Sequence, residues 1–111
     1  MDDIVFEAQS PLGYTVFCSR TTWHNYILIG HPNMRGREDE VKDTIETPDS
    51  IFGSEEHPAD RDVYFKRTAL ESMYVKVVTQ DNGTVHHVVS AWRQRDVKGN
   101  IGVIKYVRPK L

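Results

Sequence analysis

Apolar residues near the start of the chain are spaced first as in strands and then as in a helix. IVFEA and YTVFCS are β-prone runs on either side of the turn SPLG, which is typical of a β-hairpin. Thr21 and Thr22 then offer hydroxyl caps for a helix that begins near Trp23. Trp23, Tyr26 and Ile27 form the apolar stripe of this predicted helix.

A second helix is predicted shortly after the first one ends. Pro32 disfavours helical geometry at the preceding residue, so we expect the first helix to stop at about Gly30 or His31. In REDEVKDTIETP, acidic residues crowd the first turn, and Val41 and Ile45 lie four positions apart. This pattern indicates a short amphipathic helix.

From about residue 50 the apolar spacing becomes alternating. IFGS, DVYFKR, MYVKVVTQ, TVHHVVSAWRQ and IGVIKYV are β-rich runs, with hairpin signals at DNG (residues 81–83) and KGN (residues 98–100). The whole pattern predicts one α+β domain over residues 1–111. We expect an N-terminal β-hairpin and two helices packed on a mainly antiparallel sheet of four or five strands.

Composition narrows the class of protein. The chain has 111 residues, of which 39% are hydrophobic and 27% charged, as in ordinary globular domains. The acidic start lacks the layout of a secretory signal, and no apolar run approaches the length of a membrane span. The single cysteine, Cys18, lies in an apolar run, which favours a buried thiol and a reducing, cytoplasmic setting.

The net charge of −2 hides an asymmetry between the two halves of the chain. Residues 1–60 hold four Lys/Arg against twelve Asp/Glu, a balance of −8, whereas residues 61–111 hold ten against four, a balance of +6. A basic half suggests a surface for an anionic partner such as nucleic acid. The alternative is that the two halves neutralise each other across the fold.

The residue pattern favours chemistry without a metal ion or cofactor. One cysteine and five histidines without HExxH-like spacing give no familiar metal site, and no glycine-rich phosphate loop is present. Metal-free cleavage of RNA needs a base, an acid and cations around the phosphate. His24 and His31, seven residues apart in the predicted helix, are candidates for proton transfer.

The strands supply candidates for the remaining roles. Arg61, Lys66 and Arg67, in or beside DVYFKR, offer positive charge for the phosphate. Ser90 and Trp92 alternate onto one face of a predicted strand, as a hydroxyl donor and a ring for base stacking, and Tyr64 is a second stacking candidate. For each residue an ordinary structural role stays open: a helix histidine in a structural hydrogen bond, an aromatic ring in the core, or a solvated surface cation.

The order of these motifs resembles a known pattern. SPLGYTV, TTWHNYILIGHPNM, VKDTIETPDSIFGS, DRDVYFKR, YVKVV, VVSAW and KGNIG follow one another much as in the phage-associated families of the barnase–EndoU–colicin–RelE-like (BECR) ribonuclease superfamily. The similarity runs from about Phe6 to Tyr106. It implies a compact sheet-and-helix nuclease fold and metal-independent RNA cleavage. It also implies a phage-derived or toxin–antitoxin role, with a cognate antitoxin or immunity protein as a candidate partner.

His31 matches the histidine of the family's His-Pro motif directly. His24 stands two places earlier than the family's helix histidine, and Tyr26 occupies that slot. Asn33 replaces a typical Glu, and Ser90 a typical Thr. Because the apolar spacing changes from helical to alternating near residue 50, we expect His31, Lys66 and Ser90 around one concavity where the helices meet the sheet. Two alternatives remain: a non-catalytic module that binds nucleic acid or protein, and an inert folding domain of a larger phage protein.

Overall fold

The structure is a computed structural model that describes residues 3–68, 72–83 and 85–110 of the chain. Within these residues there are seven strands and two helices, connected by short turns and loops. The strands are β1 (Ile4–Gln9), β2 (Thr15–Ser19), β3 (Ser50–Ser54), β4 (Arg61–Arg67), β5 (Tyr74–Asp81), β6 (His86–Gln94) and β7 (Ile101–Val107). The first helix covers residues 20–30, a 3₁₀ turn follows at Pro32–Met34, and the second helix is Glu38–Glu46.

The predicted N-terminal hairpin is present. β1 and β2 pair antiparallel, and the amide of Ser10 donates to the carbonyl of Tyr14 at 2.9 Å across the turn. Gly13 has a φ of +96°, a left-handed conformation that glycine adopts without steric cost. The conformation of this turn is therefore determined by the few residues within it.

The first helix starts earlier than predicted, and its middle turn is π-helical. Ser19, rather than Thr21 or Thr22, caps it, because its hydroxyl accepts from the amide of Thr22 at 3.0 Å. At the other end of this helix, His31 has φ −139° and ψ 75°, outside the helical region, immediately before Pro32. The predicted stop at Gly30 or His31 is therefore confirmed.

The π-helical turn over Trp23–Ile27 changes which side chains reach the core. The amide of Leu28 donates to the carbonyl of Trp23, which widens the turn. Trp23 and Ile27 are buried, whereas Tyr26 is 66% exposed. The prediction that Tyr26 shares the buried stripe is wrong, because the wider turn rotates it toward solvent.

The second helix lies inside the predicted segment. Three acidic residues, Glu38, Asp39 and Glu40, occupy its first turn, where the helix dipole favours negative charge. Val41 and Ile45 are fully buried on its inner face, as their four-residue spacing predicts.

The predicted sheet of four or five mainly antiparallel strands is wrong. Among the described residues, seven strands form one mixed sheet in the order β1-β2-β6-β5-β4-β3-β7. The hairpin joins the sheet because β2 pairs parallel to β6, through Val16 with His86 and Phe17 with His87. This contact joins residues far apart in the chain, so no local alternation pattern specifies it.

The hairpin predicted at residues 98–100 is also wrong. β7 pairs antiparallel with β3, on the far side of β5, β4 and β3 from β6. Residues 95–100, here called the crossover, carry the chain between these two strands. Gly99 and Asn100 do have left-handed φ values of +92° and +53°, so the turn-forming residues shape a crossover instead of a hairpin.

Apolar side chains are buried in two clusters. The larger one receives Trp23 and Ile27 from the first helix and Val41 and Ile45 from the second. The smaller one is centred on three residues of β4 and β5, with Trp92 and residues of the crossover region packed at its margin; the three are Val63, Phe65 and Val78. Because side chains alternate along a strand, each cluster belongs to one face of the sheet.

Candidate functional site

His31 lies at the end of the first helix and contacts β6. Its amide donates to the carbonyl of Ile27 at 2.7 Å, which completes the last helical turn. Its imidazole, which is half-buried, stacks on the indole of Trp92 with ring centroids 5.3 Å apart and an interplanar angle of 20°. The end of the helix thus brings His31 into contact with Trp92.

The indole of Trp92 is contacted from a second side as well. Lys76, its direct cross-strand partner on β5, places its ammonium 4.9 Å from the ring centroid. The indole N–H donates to Oε1 of Gln94 at 2.8 Å. A ring held in this way is suited to fixing the orientation of His31, and less suited to accepting a nucleotide base.

Ser90 and Arg67 lie on the same face of the sheet as Trp92. Ser90 precedes Trp92 by two residues on β6, so their side chains point the same way. Arg67 pairs with Tyr74, which in turn pairs with Gln94 on the face of Trp92. We call His31, Ser90, Trp92 and Arg67 the His31 site because they share this face; along the strands, Ser90 and Arg67 lie on opposite sides of Trp92.

Lys66 lies on the opposite face from the His31 site. It pairs with Val75, whose side chain belongs to the larger, helix-covered cluster. Its ammonium donates to Oδ2 of Asp43 and to the hydroxyl of Thr47, both at 2.6 Å. The expectation that His31, Lys66 and Ser90 surround one concavity is therefore wrong, because the sheet separates Lys66 from Ser90.

Arg61 shares the face of the His31 site but lies at the other end of β4. It pairs with Gln80, whereas Trp92 pairs with Lys76, four residues earlier on β5. Its Nε donates to Oε1 of Gln80 at 2.6 Å. The structure thus gives Arg61 a partner within the sheet and does not bring it to His31.

Two other sequence candidates lie apart from the site. His24 is exposed on the first helix, near its start. Tyr64 is 0% exposed, so its ring offers no surface to a base. Its hydroxyl contacts the hydroxyls of Ser10 at 2.6 Å and Tyr14 at 2.5 Å.

The Tyr64 hydroxyl belongs to a buried polar network that the sequence analysis missed. Tyr14 donates to Oδ2 of Asp62 at 2.6 Å, and Lys105 binds Oδ1 of the same carboxylate at 2.6 Å. Burial raises the pKa of Tyr64 to about 12 and, together with Tyr64 and Asp62, raises that of Tyr14 above 10. Alternation in DVYFK, which places Asp62 and Tyr64 on one face, is the sequence signal for this network.

The burial of Lys76 beside Trp92 was not predicted from the sequence either. Lys76 is only 4% exposed, and burial lowers the pKa of its ammonium below the ordinary value of 10.5. A single charged residue within the apolar run YVKVV was the available signal, because a strand buried on both faces leaves a lysine no route to solvent.

Part of the charge asymmetry is neutralised across the fold. Lys66 binds Asp43, and Arg108 approaches Asp49 at 3.4 Å, so two cations of the basic half pair with acids of the other half. Burial raises the pKa of Asp43, but hydrogen bonds from Lys66 and Thr47 outweigh this effect and lower it below 3.8 overall. For these residues, the acidic and basic halves of the chain therefore neutralise each other, which was the alternative to a basic surface for an anionic partner.

Two features are absent from the residues that the structure describes. No three His, Cys, Asp or Glu side chains in residues 3–68, 72–83 and 85–110 are grouped so as to bind a metal ion. None of the helices in that part of the chain has the length and apolar character needed to cross a bilayer.

The chain was also compared with protein families, with curated proteins and with solved structures, and it matches none of them significantly.

Proposed function

We propose that this protein cleaves RNA without a metal ion and uses His31 for proton transfer. The single observation that carries the proposal is the stack of His31 on Trp92, on the sheet face that also holds Ser90. A half-buried imidazole stacked on an aromatic ring is held in a defined orientation, as a general base must be.

The reaction assigned to this site is transfer of the phosphodiester to the neighbouring 2′-hydroxyl. His31 accepts the 2′-hydroxyl proton while the 2′-oxygen bonds to phosphorus and the bond from phosphorus to the 5′-oxygen breaks. The leaving 5′-oxygen takes a proton from water, and the hydroxide that forms is neutralised by the proton on His31, which restores the free imidazole. Ser90 donates a hydrogen bond to a phosphate oxygen, and Arg67, two strands away on the same face, binds a neighbouring phosphate of the RNA.

Three residues of β4 with sequence-based roles have no part in this proposal. Lys66 is held by Asp43 on the other face, Arg61 by Gln80, and Tyr64 is buried. Trp92 orients His31 instead of stacking on a base, since His31 and Lys76 already contact its ring.

The setting proposed for this activity is the cytoplasm. Cys18 is fully buried, which suits a thiol in a reducing compartment. A ribonuclease there attacks the RNA of the cell that makes it, so a cognate antitoxin or immunity protein is the proposed partner.

The test is incubation of total cellular RNA with the purified protein in EDTA, followed by gel analysis. We expect new bands from the parent protein. His31→Gln should lower the cleavage rate by about 10²- to 10⁴-fold, the usual loss when a general base is removed. His24→Gln is the matched control and should cleave at the parent rate. A folded His31→Gln protein that cleaves as fast as the parent contradicts the proposal.

A second candidate function is RNA binding without cleavage. It is favoured by one observation: Lys66 and Arg61, two of the three cations expected to offer charge for the phosphate, both have partners within the protein. In the same experiment, a mobility shift of the RNA without new bands supports this function over cleavage.

A further inference from the structure

Lys76 is a buried lysine without a carboxylate partner among the described residues. Its ammonium donates to the main-chain carbonyls of Gly99 at 2.7 Å and Lys98 at 3.1 Å, both in the crossover. It also lies 4.9 Å from the Trp92 ring centroid and 5.7 Å from that of Phe65. Carbonyl oxygens and aromatic faces are the neutral groups that stabilise a buried cation.

These contacts form a closed circuit around the Trp92 indole. The indole N–H donates to Oε1 of Gln94, and Nε2 of Gln94 donates to the carbonyl of Lys98 at 2.9 Å. That same carbonyl accepts from Lys76, whose ammonium faces the indole. The ring plane and the N–H of Trp92 are therefore both tied to one carbonyl of the crossover.

The backbone of the crossover leaves room for the ammonium. Gly99 has a φ of +92°, and a Cβ at this position would lie 2.9 Å from Nζ of Lys76. Glycine alone both adopts this conformation readily and leaves the space. The close approach of Lys76 is thus built into the backbone conformation of the crossover.

The ammonium of Lys76 is less favourable at this buried position than a neutral group of similar shape would be. Burial lowers the pKa of Lys76, which means that removing the ammonium from water has a free-energy cost. A methionine has nearly the same shape and length without that cost. What it lacks is an electrostatic attraction to the indole and to the two carbonyls.

We propose that Lys76 is a positioning residue that holds the Trp92 indole in the orientation in which it stacks on His31. Lys76 reaches the indole from β5. His31 reaches it from the first helix, which follows β2, the other neighbour of β6. The crossover, Lys76, Trp92 and His31 thus form one connected series. The assignment concerns the orientation of the stack and rests on the proposed function only for its effect on cleavage.

The experiment measures the orientation of the stack directly. Ring protons of His31 lie over the indole, so their NMR signals are displaced from those of an exposed histidine such as His24 by the ring current of Trp92. In Lys76→Met we expect the His31 signals to move toward the His24 position while circular dichroism stays that of the parent. Lys98→Met is the matched control: it removes an exposed ammonium of the crossover but keeps the carbonyl, and should leave the His31 signals unchanged.

A folded Lys76→Met protein with parent His31 signals overturns the proposal. If Lys76→Met does not fold, Gly99→Ala serves instead, since its Cβ would displace the ammonium at 2.9 Å. Unchanged His31 signals in folded Gly99→Ala would have the same meaning.

Kinetics separate this proposal from the proposed function. If the parent cleaves RNA, Lys76→Met should lower kcat as strongly as Trp92→Leu does and leave KM unchanged, because the ammonium does not touch the RNA. If the parent does not cleave RNA, the proposed function fails while the NMR comparison still decides the role of Lys76.

Discussion

Lys66 on β4 and Ser90 on β6 lie on opposite faces of the same sheet. Lys66 pairs with Val75 and Ser90 with Val78, and these two β5 residues are an odd number of positions apart. A phosphate at Ser90 would be separated from the Lys66 ammonium by the sheet itself. This relationship separates Arg67, on the face of the His31 site, from Lys66, which binds Asp43 on the other face.

Lys66→Met should leave RNA cleavage unchanged and lower the free energy of unfolding slightly. Its pair with Asp43 is partly exposed, with the Asp43 side chain 58% accessible, so the expected loss is about 0–1 kcal/mol. Urea denaturation of Lys66→Met, Asp43→Asn and the double variant measures the coupling. A loss of cleavage in Lys66→Met without a change in stability would return Lys66 to the site.

Arg67→Gln should weaken RNA binding and reduce its dependence on salt. Each phosphate contact contributes about −0.7 to the slope of log K against log salt for single strands, so we expect the slope to become shallower by about that amount. Fluorescence anisotropy with a labelled oligoribonucleotide gives the slope. Arg61→Gln, on the same strand and face but bound to Gln80, is the control and should keep the parent slope. Equal slopes for all three proteins would exclude Arg67 as the phosphate contact.

Tyr64→Phe should destabilise the protein by about 1–3 kcal/mol, since it leaves the buried hydroxyls of Ser10 and Tyr14 without this partner. Thermal or urea unfolding measures the loss. Tyr26→Phe removes a hydroxyl from a side chain that is 66% exposed and should have almost no effect. Similar stabilities of the two variants would show that the network contributes little.

Alkaline pH should unfold the protein through its buried tyrosines. The pKa of Tyr64 is raised from 10.0 to about 12 by burial, so between these values the unfolded chain releases a proton that the folded protein retains. Stability present below pH 10.0 is therefore lost as the pH rises toward about 12. Tyr14 acts in the same direction, with its pKa raised as well.

Lys76 changes the stability with pH in the opposite direction. Because its pKa is lowered in the folded protein, the unfolded chain binds more protons there. The contribution of Lys76 to stability therefore rises with pH up to its ordinary pKa of 10.5. Above pH 10.5, only the two tyrosines among these three groups still contribute to the change of stability with pH. Urea midpoints measured across this range should fall less steeply for Tyr64→Phe than for the parent. Identical slopes would mean that Tyr64 titrates alike in the folded and unfolded states.

Local features of the fold could be predicted from the sequence alone. Gly13 in its turn, Pro32 after the first helix, and Val41 and Ile45 at helical spacing each act through the backbone or side chains of a few neighbouring residues. The hairpin between β5 and β6 is of the same kind, with Gly83 at φ +95° in the predicted DNG turn. Steric limits on the backbone make such features independent of the rest of the chain.

The candidate site was predicted only residue by residue. His31, Ser90 and Trp92 could be selected from the sequence as separate candidates, but their assembly depends on how β6 meets β5 and the first helix. The pairing of β5 and β6 shifts register between Val78 and Thr79, where one residue of β6, Val89, lies between their partners Ser90 and Val88. Such a shift is invisible to an alternation pattern read from one strand.

Tertiary structure alone decided which residues share a face and which strands are neighbours. Side chains alternate with a period of two along a strand, so a one-residue change of register moves a side chain to the other face. The registers of β4 and β6 against β5 place Lys66 and Ser90 on opposite faces. The parallel pairing of β2 with β6 and the pairing of β7 with β3 likewise join distant segments. These pairings are stabilised by burial of apolar surface that many strands contribute. No short stretch of sequence determines the total buried area.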